Sequence, residues 1–179
     1  MGQLAAWGLW VLATTLGWAA TGALSAYSGQ LNSTLGLALV GLGQWAALRQ
    51  WLRGGGVWVL VTYIAGFFGS MLGGALLIAL GWSDSGAEIG LGLNALLWCV
   101  QGAAVGAGQA LLLRNFMDGT GWWIAASAAG FMVASPLTQL VNPGALGLEG
   151  RILSVTLFGL VSSAVSGLGL LRVRRSSLE

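Results

Sequence analysis

Residues 2–48, 54–83, 89–113, 119–148 and 152–171 contain no Asp, Glu, Lys or Arg. Nothing else in the sequence narrows the fold as much. A water-facing domain carries charge on about a quarter of its residues; here charged residues make up 7% and hydrophobic ones 56% of 179. A bilayer core takes roughly 20 apolar residues per helix. The charge-free runs divide into six such segments, at about 4–27, 32–52, 57–81, 89–113, 121–142 and 151–171. Strands of a membrane barrel alternate apolar and polar residues, and stretches such as "LLIALG" do not. The expected fold is therefore all-α, a polytopic membrane bundle of six transmembrane helices. The length suits a single domain over residues 1–175, followed by a short cytoplasmic tail at 176–179.

Lysine is absent, and six of the seven basic residues fall in three clusters: Arg49 with Arg53, Arg114, and Arg172 with Arg174 and Arg175. These are the ends of the second, fourth and sixth spans, on one side of the membrane. Asp84, Glu88, Glu149 and Arg151 fall on the other. Arginine near span ends is retained on the cytoplasmic side. The expected location is thus the cytoplasmic (inner) membrane, multi-pass, with both termini in the cytoplasm. The net charge of +2 reflects that orientation and not a nucleic-acid surface. The first apolar run lacks the basic start of a signal peptide and is too long for one, so it reads as a retained helix. The single Cys99 excludes an intrachain disulfide.

The arginine junctions repeat. "GQWAALRQWLRGGGVW" at 43–58 matches "GQALLLRNFMDGTGWW" at 108–123, with a Trp nine residues after the first Arg in both. "WVLAT" at 10–14, "WVLVT" at 58–62 and "WIAAS" at 123–127 extend the match, and "SGLGLLR" at 166–172 fits the same frame. The chain reads as three parallel two-helix hairpins, about 10–57, 58–122 and 123–175. Each enters at a Trp (Trp10, Trp58, Trp123), has a hydroxyl residue four positions on (Thr14, Thr62, Ser127) and leaves at an Arg (Arg49, Arg114, Arg172). Arg at a span end snorkels to phosphate headgroups and Trp favours the interface. These six Trp and Arg residues are accordingly expected as membrane-interface anchors.

The Gly-Gln-Trp and Leu-Arg hairpins resemble uncharacterised multi-pass membrane proteins of bacteria. The resemblance covers most of the chain and implies the helical bundle, but no activity. The second hairpin departs from it at Ala110, which follows Gln109 where Trp45 follows Gln44. In the third, Gly167 replaces the Gln.

Histidine is absent, which removes the usual haem, zinc and acid–base side chain. No lysine exists for a Schiff base, no charged residue lies within a span, and no phosphate-binding loop motif occurs. No catalytic residue, metal ligand or cofactor is assigned, and the protein is not expected to be an enzyme. What polarity remains is neutral. Gln44 and Gln109 lie about 7–8 Å inward from their arginines at 1.5 Å per residue, where a carboxamide needs hydrogen-bond partners. Asn94, Trp98, Gln101, Val105 and Gln109 fall within an arc of about 80° on the fourth span. Asn94, Gln101, Gln109 and Gln44 are therefore the candidate ligand-facing or pore-facing residues, or else amide bonds that hold helices together. Gly69-xxx-Gly73, Gly102-xxx-Gly106 and Ser163-xxx-Gly167 permit close helix approach.

The leading expectation is a non-enzymatic membrane module that packs with a second copy or another membrane protein, with the lipid bilayer as its surroundings and no nucleic-acid partner. The alternative is a small-solute binding or transport protein, or a neutral-pore channel. Six spans and Ala19-xxx-Ala23 are similar to the substrate-binding components of energy-coupling vitamin importers.

Overall fold

The computed structural model describes residues 3–28, 31–49, 55–82, 90–115, 117–140, 147–172 and 174–175. Trp51, Arg53, Asp84, Glu88, the Arg172 side chain and the tail at 176–179 lie outside the described residues. Six helices run in order: α1 (Gln3–Ser28), α2 (Leu31–Leu48), α3 (Gly55–Ala79), α4 (Leu91–Leu113), α5 (Gly121–Leu140) and α6 (Gly147–Arg172). Four of them, α1, α3, α4 and α6, are long and apolar enough to cross a membrane. In α2 the apolar helical stretch is Gly36–Leu48. In α5, Ser127, Ser135, Pro136, Thr138 and Gln139 dilute the apolar character of a 20-residue helix.

The helices form a closed ring. Each packs against its neighbours in sequence, and α6 returns to α1; the α2–α3 seam is the sparsest of the six. Neighbours run antiparallel, as glycine contacts show. A methyl group added at Gly17 of α1 would lie 2.8 Å from Val40 Cα of α2, while Gly43 of α2 abuts Ala13. One at Gly106 of α4 would lie 3.0 Å from Ile124 Cα of α5, and one at Gly102 would lie 2.6 Å from the Ser127 carbonyl oxygen. The Gly102-xxx-Gly106 spacing is thus a true close-approach stripe, whereas at Gly73 the nearest atom, Leu97 Cδ2, is 3.8 Å away, an ordinary contact. With this alternation the start of α1 and the ends of α2, α4 and α6 share one end of the bundle, here termed the arginine end.

The second span is shorter than its sequence implies. Expected to reach residue 52, α2 ends at Leu48, and Arg49 sits in a turn. One feature had no sequence signal. Met117–Asp118 (β1) pairs antiparallel with Arg174–Arg175 (β2), Met117 opposite Arg175. This two-residue ladder ties the segment after α6 to the α4–α5 connection and brings Met117, 8% exposed, onto the core.

Candidate functional site

Two buried clusters fill the ring. The first lies at the arginine end: Trp10, Trp58 and Trp123 with Leu48, Ala110, Leu113, Met117 and Leu170. The three tryptophans are 0–1% exposed, and the Trp10 and Trp123 rings meet edge to face at 4.9 Å. This corrects the expectation that these indoles anchor at the lipid interface. Each faces the bundle interior at the arginine end, where apolar burial takes the place of contact with headgroups. Arg49 and Arg114 are exposed at that end.

The glutamines complete this core. Gln109, 1% exposed, accepts a hydrogen bond at Oε1 from Trp123 Nε1 (3.0 Å). Its Nε2 donates to Gln44 Oε1 (2.7 Å) and Thr62 Oγ1 (2.9 Å). One carboxamide thereby joins α2, α3, α4 and α5. A buried amide costs several kcal/mol when unpartnered, about 2–7 depending on the reference state, so convergence of this kind is what permits Gln109 to be there. Trp10 Nε1 donates to Ser166 Oγ at 3.4 Å. Gly167, which stands where a third Gln would, is crowded by Trp10 and Trp7: an added methyl would lie 2.8 and 2.9 Å from their Cδ1 atoms. There is no room for a carboxamide because two indoles occupy its place. Two buried polar atoms of this region, Thr14 Oγ1 and Trp58 Nε1, have no hydrogen-bond partner among the described residues.

The second cluster, toward the opposite end, is aromatic: Trp18, Phe131 and Phe158, with Trp98 packed against them. Beside it lies a cavity of about 620 Å³ whose lining includes Trp18, Thr21, Phe67, Ser70, Trp98 and Gln101. Gln101 Nε2 donates to Ser70 Oγ (2.9 Å) and to the Gly66 carbonyl (3.4 Å). Ser70 Oγ itself donates to the Gly66 carbonyl (3.0 Å), and Thr21 Oγ1 shares its proton between the Gly17 and Gly36 carbonyls (2.8 and 2.9 Å). The amide protons are thus committed to α3, and the Gln101 carbonyl oxygen has no protein donor among the described residues.

The polar stripe of α4 does not line one pore. Asn94 Nδ2 donates to Ser135 Oγ of α5 at 2.6 Å, Gln101 turns to α3, and Gln109 turns to the centre. Of the four amides, only Gln101 lines this cavity. Sequence reasoning missed Trp18, Thr21 and Ser70 as its companions because they come from helices whose facing the sequence alone does not specify. Among the described residues, no three metal-ligating side chains cluster. Comparison with protein-family models, curated proteins and solved structures finds no match.

Proposed function

We propose that this is a non-enzymatic integral membrane protein of six spans, built from three repeated hairpins, that binds a small uncharged solute in the cavity at Gln101. The cavity carries this reading. Its size lies within the roughly 300–1,000 Å³ of small-molecule sites, and its lining follows their usual make-up of aromatic walls with a few polar groups. Among the described residues that line it none is charged, which favours a neutral ligand. Exposed apolar faces, the main support for an assembly module, would be equally well covered by lipid, so they favour neither reading.

Equivalent contacts support the repeat. Gly41 approaches Val59 and Thr62 as Gly106 approaches Ile124 and Ser127, and Gly17 meets the Leu39 carbonyl as Gly130 meets that of Ser162. The cavity lies where the hairpins differ. Eight residues after each entry Trp stand Trp18, Gly66 and Phe131, and at Gly66 the Leu37 side chain takes the space; the second hairpin lines the cavity with Phe67 and Trp98 instead. Gln101 occupies the position of Gly36 and Gly159, which are covered by the side chains of Thr21 and Trp18. With arginine retained inside, the arginine end and both termini face the cytoplasm, and the cavity lies toward the outer half.

Native mass spectrometry of the protein extracted in mild detergent tests this. The expected result is a small-molecule adduct that Gln101→Leu removes and Asn94→Leu retains, with both variants folded even though Asn94→Leu strands Ser135 and melts lower. A stoichiometric protein partner or oligomer carrying no adduct would favour the assembly module instead.

A further inference from the structure

A second hollow, about 570 Å³, follows the outer face of the α2–α3 seam, lined by Ala38, Leu42 and Trp45 of α2 and by Gly56, Leu60 and Tyr63 of α3. Leu42 and Leu60 are 47% and 55% exposed, so the groove faces outward. On a 3.6-residue helix Ala38, Leu42 and Trp45 fall within about 60°. Arg49, in the turn directly after α2, stands at the arginine end of this stripe; it is exposed and has no carboxylate partner among the described residues. From Ala38 to Arg49 the stripe rises about 16 Å, close to half of a hydrocarbon core about 30 Å thick, the depth of one leaflet. An apolar channel one leaflet deep with a guanidinium at its mouth matches one kind of molecule. We propose that this groove binds an anionic phospholipid, one acyl chain along the α2–α3 seam and its phosphate on Arg49. The sparse seam is what makes the room, and Arg49 supplies headgroup selectivity by charge-assisted hydrogen bonds.

The site rests on the membrane reading and not on the solute cavity. The test is native mass spectrometry of the full chain in detergent with phosphatidylglycerol or phosphatidylcholine of identical chains. The expected result is one phosphatidylglycerol retained at least tenfold over phosphatidylcholine. Arg49→Gln brings the two to parity, while Arg114→Gln, at the same end but on α4, preserves the preference. Gly56→Leu, whose side chain enters open space, lowers retention of both lipids. Equal retention by the unaltered protein overturns the proposal, as does equal sensitivity to Arg49→Gln and Arg114→Gln, or a second copy bound in place of lipid. A chain that stays in aqueous buffer without detergent overturns the membrane reading itself.

The unpartnered atoms at the arginine end carry a separate inference. In the repeat frame Thr14 corresponds to Thr62, Trp58 to Trp123 and Gln44 to Gln109. Gln109 bonds to both Thr62 and Trp123. The two buried orphans, Thr14 Oγ1 and Trp58 Nε1, are the counterparts of its partners. We infer that Gln44 has two hydrogen-bonding positions, one on Gln109 as seen here and one accepting from Trp58 while donating to Thr14. Moving between them exchanges a link from α2 to α4 for links from α2 to α1 and α3. The indole N–H resonance of Trp58, assigned with Trp58→Phe in nitrogen-15-tryptophan-labelled protein, reports the exchange. Gln44→Leu and the near-isosteric Thr14→Val are both expected to move it, leaving the Trp10 signal in place. A Trp58 signal indifferent to both substitutions, as a bound water would produce, overturns the inference.

Discussion

The two ends of the bundle solve the same packing problem differently. At the arginine end Trp10, Trp58, Trp123, Leu48 and Leu113 are all at most 1% exposed, and Gln109 is joined to three side chains. At the opposite end Trp18, Trp98, Phe131 and Phe158 contact one another at centroid distances from 4.6 to 6.2 Å, yet a cavity remains beside them. At the closed end large side chains and a fully bonded carboxamide fill the interior. At the open end Gln101, Ser70 and Thr21 turn to backbone carbonyls and to one another, and the space beside the aromatic walls stays unfilled.

This contrast can be broken most forcefully at Trp123. Trp123→Ala empties the closed end and strands the Gln109 carbonyl, with an expected loss of about 3–5 kcal/mol, measured by denaturant titration in micelles. Gln109→Leu deprives Trp123, Thr62 and Gln44 of their partner together. A loss of about 2 kcal/mol is expected there, in line with about 1–3 for each stranded buried group less relaxation. Gly102→Ala tests the α4–α5 contact: with 2.6 Å between the new methyl and the Ser127 carbonyl, the helices must part, at about 1–3 kcal/mol. Gly74→Ala, with nothing within 4 Å, is the control and should be neutral or stabilise by up to about 1 kcal/mol through helix propensity. Gln101→Leu is expected to change stability least among the polar variants, by less than about 1 kcal/mol, because its bonds lie at the rim of a cavity. If Gln101→Leu destabilised as much as Gln109→Leu, the open end would be a structural core like the closed one.

The helices themselves were legible from the chain. Charge-free runs bounded by arginine and acidic residues place α3 and α4 within about two residues of their observed ends, since transfer of charge out of water is what sets where such a run must stop. The second span was expected to run on because "RQWLR" looks interfacial, and α2 ends at Leu48 with Arg49 in a turn. The Gln44–Gln109 pairing was foreseeable as one of two options: carboxamides at matched depth need partners, and each other is the nearest of that kind. The facing of Trp10, Trp58 and Trp123 was not. Interface and interior both accept an indole, and spacing along one helix says how deep a residue lies, not which way it turns in the assembled ring.

By itself, then, the sequence determined the helical class and the long apolar helices able to cross a membrane, because these depend on local composition and period. The ring closure of α6 on α1, the β1–β2 tie, the burial of the three indoles and the division of α4's polar stripe among α3, α5 and the centre were decided only in the tertiary structure. Helix rotation is set by which neighbours approach closely, and in this chain those approaches are made by glycines such as Gly17, Gly102 and Gly106, whose partners are far away in sequence or in other helices.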